Sequence, residues 1–183
     1  MTGKLFVIAG PTAVGKGTVV NFIRQLESNL HLSISATTRA PRPGEVDGQS
    51  YFFISHEKFD QLISEDQMLE YAVVHGVNKY GTPRIPIEEA LARGENVILE
   101  IDLQGARQVK KSMPEAVTIF IAPPNWDELV RRLTLRGTES ADEQSKRLET
   151  ARLELAAQSE FDHVVINDDV ARCAAEVVEL IQA

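Results

Sequence analysis

The sequence predicts an α/β fold in which a parallel β-sheet is covered by helices on both faces. Two observations carry that prediction. Short unbroken apolar runs, the mark of strands buried on both sides, are spread along the chain. Segments of helical apolar spacing separate them, and alternating strands and helices imply parallel pairing. The length of 183 residues suits one compact domain.

The first run is Leu5-Phe6-Val7-Ile8-Ala9, closed by Gly10. A glycine-rich segment follows, and Val19, Val20, Phe22, Ile23 and Leu26 then recur at helical spacing. Further buried strands are expected over 96–101, over 117–121 (stopped by Pro123-Pro124) and over 163–166. Helical patterns fall at 86–93, 105–111, 126–135, 142–158 and 170–181. Two stretches break the rhythm. Residues 33–81 carry short strands such as Tyr51-Phe52-Phe53-Ile54, with turns at Pro43-Gly44 and Asp47-Gly48, and read as a small, mostly β insertion. Residues 125–152 are helical, charged and interrupted by Arg136-Gly137-Thr138, as a mobile flap would be.

Composition narrows the function. At 43% hydrophobic the chain can bury a substantial core, yet no apolar run approaches the ~20 residues that span a bilayer. The start, Met1-Thr2-Gly3-Lys4 before a short apolar run, lacks the length and cleavage region of a signal peptide. A lone cysteine, Cys173, excludes an internal disulfide framework, and a cytoplasmic location is expected. A net charge of −8 argues against broad binding to nucleic acid or an anionic membrane. Twelve arginines against seven lysines, several in tight groups, suit small phosphorylated ligands. His31, His56, His75 and His163 show no metal-ligand spacing.

The strongest local signal is Gly10-Pro11-Thr12-Ala13-Val14-Gly15-Lys16 between the first strand and the first helix. Glycines let the backbone N–H groups turn around phosphate oxygens, and the helix start adds free amides and its positive dipole end. Lys16 can reach the β- and γ-phosphates as a mobile cation. This is a P-loop, so the sheet is expected to be of the P-loop NTPase type. The usual hydroxyl residue after the lysine is Gly17 here, with Thr18 next. No direct protein ligand for Mg²⁺ is therefore assigned; the ion is expected to arrive with ATP, near Thr18 and Asp102. Glu100 and Asp102 end the second buried strand, where acids can orient metal-bound water. Asp102 equally suits a helix N-cap.

The chain resembles the guanylate kinases over nearly its whole length. The defining stretch is Ser33-Ile34-Ser35-Ala36-Thr37-Thr38-Arg39-Ala40-Pro41-Arg42-Pro43-Gly44-Glu45-Val46-Asp47-Gly48, with Tyr51 beyond. Glu70-Tyr71-Ala72, Tyr80-Gly81-Thr82, Glu100-Ile101-Asp102-Leu103-Gln104-Gly105, Arg136-Gly137-Thr138-Glu139 and Val165-Ile166-Asn167-Asp168-Asp169 continue the match. The resemblance implies ATP-dependent phosphorylation of GMP, and of dGMP, with Mg²⁺ carried by ATP. It implies a core of 1–32, 94–124 and 153–183, a GMP lobe over about 33–93 and a lid over about 125–152. Arg39, Arg42, Tyr51 and Tyr80 would grip the GMP phosphate; Ser35, Glu70 and Thr82 would read guanine, with Gly81, Glu100 and Asp102 at the same site. Guanidinium forks match phosphate oxygens. An ionised carboxylate can accept from guanine N1–H and its 2-amino group, donors that adenine lacks on that edge.

ATP would lie on residues 10–18, with Arg132, Arg136, Asn167 and Asp168. Lys16, Arg39, Arg136 and Arg147 would act on the transferring group, and Arg152 is a less secure match. Arg132 and Arg136, spaced i,i+4, would share a helix face. The same arginines suit pairing with Glu128, Glu139, Glu143 or Glu149, and Asn167-Asp168 suits a polar turn with Asp169 as cap. A monomer or small homo-oligomer is expected. Two rival readings stand beside this one: a non-catalytic protein-binding module of similar fold, and a kinase for another small phosphorylated molecule such as a ribose bisphosphate.

Overall fold

The computed structural model describes residues 2–74, 76–134 and 141–183, without the side chains of 141–143. Five parallel strands form the main sheet in the order β2 (Leu30–Leu32), β7 (Asn96–Glu100), β1 (Leu5–Ala9), β8 (Val117–Ala122), β9 (His163–Ile166). The central β1 pairs with β7 from Leu5↔Val97 to Ile8↔Glu100, and with β8 from Phe6↔Val117 to Ala9↔Phe120. The parallel P-loop-type sheet is as expected. Its fifth strand, β2, is an addition: three residues at the sheet edge.

Both faces of this sheet are covered. On one, Phe6, Ile8, Ile98, Ile119 and Ile121 meet Val19, Val20 and Ile23 of helix α1 (Lys16–Leu26) and Cys173, Ala174, Val177 and Ile181 of helix α7 (Val170–Gln182). On the other, Leu5, Val7, Ala9, Val97 and Leu99 meet Ile87 and Ala90 of helix α3 (Arg84–Ala92) and Ala106 and Val109 of helix α4 (Leu103–Ser112). Successive strand residues enter opposite clusters, so the runs carry no alternation. Burying each large side chain stabilises by about 1.5–3 kcal/mol, and this packing fixes the carboxyl ends of the strands. The apolar stripe of α1 is narrower than its sequence suggests: Phe22 and Leu26 are exposed.

The insertion forms a second sheet in the order β4 (Phe52–Phe53), β3 (Ala36–Thr37), β6 (Asn78–Pro83), β5 (Met68–Val74). It is mixed, with β3 and β4 parallel and the other pairs antiparallel. Its small core of Ala36, Phe59 and Met68 is closed by helix α2 (His56–Ser64), which the sequence reading did not anticipate. Ser55 caps α2 by accepting from the Lys58 N–H at 3.1 Å. Helices α5 (Trp126–Thr134) and α6 (Ala141–Ala156) follow β8, and Leu129, Leu133 and Ala151 join the first core cluster.

Candidate active site

The loop from Gly10 to Gly15 leaves the carboxyl end of β1 and enters α1, as its spacing predicts. Gly10 has φ +154°, and a Cβ there would lie 2.3 Å from the Ile121 carbonyl oxygen. Gly15, at φ +97°, occupies the N-cap of α1. Ala13, at φ +66°, holds a left-handed conformation that disfavours residues bearing a Cβ. Strained backbone of this kind persists only where its surroundings over-determine it. Here they do. The Val14 carbonyl accepts from Asn167 Nδ2 at 2.8 Å and from Arg132 Nη1 at 3.1 Å, while Arg132 Nη2 reaches the Asn167 carbonyl at 3.1 Å. Asn167, only 1% exposed, is thus a brace under the loop.

Lys16 folds back over the loop, donating to the Gly10 carbonyl at 2.6 Å and more weakly to the Pro11 carbonyl at 3.3 Å. Burial lowers its pKa, opposed by the charges of Glu154, Glu100 and Asp102. Thr12, Gly15, Lys16, Gly17, Thr18 and Glu100 line an open cavity of about 460 Å³. The carboxylate of Glu100 lies 3.6–3.7 Å from where a Gly17 Cβ would be, so the glycine leaves room between acid and loop. Asp102 caps α4, accepting from the Gly105 N–H at 2.7 Å.

A second cavity, about 160 Å³, is lined by residues in or beside the second sheet, Ser35, Tyr51, Glu70, Tyr80 and Gly81, together with Glu100 at the end of β7 and Asp102 just beyond it. Glu100 therefore borders both cavities. The β5–β6 pairing sets Glu70 opposite Thr82, and the fully buried Thr82 hydroxyl donates to Glu70 Oε1 at 2.7 Å. Burial pushes the Glu70 carboxyl up to about 7; the Thr82 hydrogen bond opposes this and the charge of Asp102 adds to it. Gly105 and Gly81 permit close approach: a Cβ on Gly105 would sit 3.1 Å from Glu70 Oε2, and one on Gly81 2.5 Å from the Glu70 carbonyl oxygen. Behind two of the lining residues, Arg39 Nε donates to the Tyr80 hydroxyl at 3.1 Å, and its guanidinium stands 5.4 Å from the Tyr51 ring centre. Arg42 is exposed nearby on the same turn.

The guanylate kinase family model matches residues 2–183. The chain belongs to the guanylate kinase family. A guanylate kinase of Leifsonia xyli subsp. xyli is 62% identical over 96% of this chain and 69% of its own length. One from Corynebacterium jeikeium is 53% identical over 99% and 97%. The crystal structure of guanylate kinase from Anaplasma phagocytophilum superposes with a TM-score of 0.76 at 33% identity, covering 99% of this chain and 85% of that one.

With family membership shown, the expected residues divide into three groups. Ser35 and Glu70 from the expected guanine end share one cavity with Tyr51 and Tyr80 from the phosphate end, while Thr82 and Arg39 join it through their hydrogen bonds to Glu70 and Tyr80; Thr12, Ala13 and residues 15–18 of the loop share the other. Arg132, Asn167 and Asp168 are engaged with protein: Arg132 also binds Glu128 Oε1 at 2.8 Å, and Asp168 Oδ1 accepts from Arg172 Nη2 at 2.5 Å and from the Asp169 N–H at 2.6 Å. Asp169 caps α7, as its position suggested. Arg136, with the Gly137-Thr138 interruption, lies outside the described residues, as does His75. Arg147 is half-buried on α6. Arg152 stacks 4.9 Å from the Trp126 ring centre, tying α6 to α5.

Sequence reasoning missed Glu154. It is 9% exposed, sits two turns beyond Arg147 on the same face of α6, and accepts weakly from the Thr12 N–H at 3.4 Å. Burial raises its pKa and Lys16 opposes that. Its spacing from Arg147 and the buried Ala151, seven and three residues, was the available signal.

Proposed function

We propose that this chain transfers the γ-phosphoryl group of ATP to GMP, yielding ADP and GDP, with dGMP as a second acceptor. The observation that carries the reading is one cavity lined by Glu70, which the buried Thr82 hydroxyl supports, and by Tyr80, which Arg39 grips, with Glu100 leading on to the phosphate loop. Such a cavity recognises a planar base by its hydrogen-bond donors and an anion by guanidinium and phenol.

Glu70, ionised, would accept from guanine N1–H and the 2-amino group, while Ser35 and Thr82 supply hydroxyls. Adenine has no donor pair on that edge and would leave the buried carboxylate unpaired, a mismatch worth about 10⁴ or more in discrimination. Arg39, Arg42, Tyr51 and Tyr80 would hold the acceptor phosphate. The loop amides of residues 13–18 and Lys16 would hold the β- and γ-phosphates. An acceptor phosphate oxygen then attacks the γ-phosphorus, and the bond from that phosphorus to the β,γ-bridging oxygen breaks as ADP leaves. The acceptor is already ionised, so no general base is required. Alignment and charge neutralisation supply the catalysis, and Arg147 with Arg136 would meet the transition-state charge.

The oxygen-rich surroundings of the loop suit Mg²⁺: Glu100, Asp102 and Thr18 could orient its waters. Bound there, Mg²⁺ would neutralise charge on the β- and γ-oxygens.

The test is an acceptor panel with ATP and Mg²⁺. GMP and dGMP turn over; AMP and a ribose bisphosphate do not. ADP release with a sugar phosphate but not with GMP would overturn the assignment. No release with any acceptor, alongside retained nucleotide binding, would favour the non-catalytic binding module.

A further inference from the structure

The segment from Arg39 to Tyr51 runs between two strands of two residues each, so its shape depends on side chains. One of them does most of the holding. The Glu45 carboxylate accepts from Arg39 Nη1 at 2.8 Å, from Arg39 Nη2 at 2.9 Å and from the Arg42 backbone N–H at 2.7 Å. The Glu45 N–H in turn donates to the Arg42 carbonyl at 3.0 Å. Arg39 also gives Nε–H to Tyr80 and an Nη1–H to the Ala40 carbonyl at 2.8 Å. A guanidinium has five N–H donors, so a single Nη2–H remains uncommitted. The Arg42 guanidinium, by contrast, donates no hydrogen bond among the described residues; only the backbone of Arg42 is engaged.

We propose that Glu45 is a positioning residue for the acceptor phosphate. Its carboxylate locks Arg39 and the Arg42 backbone into one turn. The remaining Arg39 N–H, the Tyr80 hydroxyl and the Arg42 guanidinium then meet the phosphate already arranged. Glu45 acts through the arginines and does not touch the nucleotide. Arg39 holds its carboxyl down to about 2, with the Arg42 N–H contributing, so the staple stays charged at any working pH. The Tyr51 and Phe53 rings, 5.4 and 5.7 Å from the Arg39 guanidinium carbon, keep that arginine in place but do not orient its N–H groups. Pre-organisation of this kind strengthens binding because less ordering is left for the ligand to impose.

The inference rests on the phosphate role proposed above for Arg39 and Arg42. Its test is Glu45→Gln in the full chain. Glutamine keeps the shape but turns an amide donor toward one guanidinium nitrogen. The KM for GMP rises about tenfold, the scale of one charge-assisted hydrogen bond, while kcat and the KM for ATP stay within about twofold. The inhibition constant of guanosine, which lacks the phosphate, is unchanged. Glu45→Asp, with its charge but one methylene fewer, falls between wild type and Glu45→Gln. In an Arg39→Met background, Glu45→Gln adds less than about twofold.

An unchanged KM for GMP overturns the proposal. So does a lowered one, which would make Glu45 a competitor of the phosphate, and so does equal weakening of guanosine and GMP, the mark of a merely structural role. If Glu45→Gln fails to fold, Glu45→Asp decides alone: weaker GMP with unaltered guanosine supports the proposal, and no change overturns it. Wild-type turnover of GMP alongside any of these failures sinks this inference only. Absence of wild-type turnover sinks the functional reading beneath it.

Discussion

Lowering the pH from 8 to 6 should weaken guanine binding about tenfold through one residue. Glu70 is held at about 7 by burial, so about nine-tenths of it is ionised at pH 8 and about one-tenth at pH 6. If only the carboxylate accepts from N1–H and the 2-amino group, apparent affinity scales with that fraction. Guanosine is the ligand of choice, because a phosphate monoester titrates near pH 6 and would confound GMP. Calorimetry at pH 7 in two buffers of different ionisation enthalpy should show about half a proton released per guanosine bound. Glu70→Gln should bind guanosine weakly and without pH dependence. A flat wild-type profile between pH 6 and 8 with no proton release would refute the reasoning: Glu70 would then be ionised before the ligand arrives, or would not meet the base.

The same residue makes a stability prediction of opposite sign. Its folded-state pKa of about 7 lies above the ordinary 4.5, so the ligand-free protein binds more protons than the unfolded chain across that interval. Stability from Glu70 is then fully present below pH 4.5 and falls as the pH rises through 7, by about 3 kcal/mol. Glu70→Gln should accordingly raise the ligand-free Tm at pH 8, with the gain shrinking toward pH 4.5 in a thermal melt series. Asn167→Ala removes the 2.8 Å support of the Val14 carbonyl, and should cost about 1–3 kcal/mol in denaturant unfolding. It should also raise the KM for ATP and leave that for GMP alone. Arg147→Ala should lower kcat about 10³-fold with GMP affinity unchanged in a binding titration; near-normal kcat would remove it from the chemistry.

The parts of the fold that the sequence revealed are those with a strong local signature. β1, β7 and β8 are continuous apolar runs because both faces of the sheet are covered, and β9 completes the same pattern. The loop is legible because a phosphate cradle needs glycine and lysine at fixed offsets, and Gly10 and Gly15 do adopt positive φ. β2 escaped notice: Leu30–Leu32 is three half-buried residues at an edge, too short for any period to register. Phe22 and Leu26 kept helical spacing yet stayed exposed, since spacing reports a face and not how far the neighbouring layer extends. At the site, Glu70 and Thr82 were placed by family resemblance, and the antiparallel register then set them side by side. Glu154 was hidden because acids are common on helices, and its contact at Thr12 lies 142 residues away. Arg132 and Asn167 were assigned to ATP by resemblance alone; nothing local in the sequence announced that they also hold the loop, since their contacts at Val14 lie 118 and 153 residues away.

The Val14–Asn167 contact joins residues 153 positions apart, and β1 itself has both neighbours in the second half of the chain. During synthesis the first sixteen residues emerge long before anything that can shape them. β1 must wait unpaired for β7 and β8, and the strained backbone at Ala13 lacks the Asn167 half of its brace until β9 has left the ribosome and docked. Nucleotide capture is therefore among the last properties the nascent protein acquires, and a truncated chain would expose an apolar strand to its neighbours. Fast elongation and early chaperone cover would guard against that exposure.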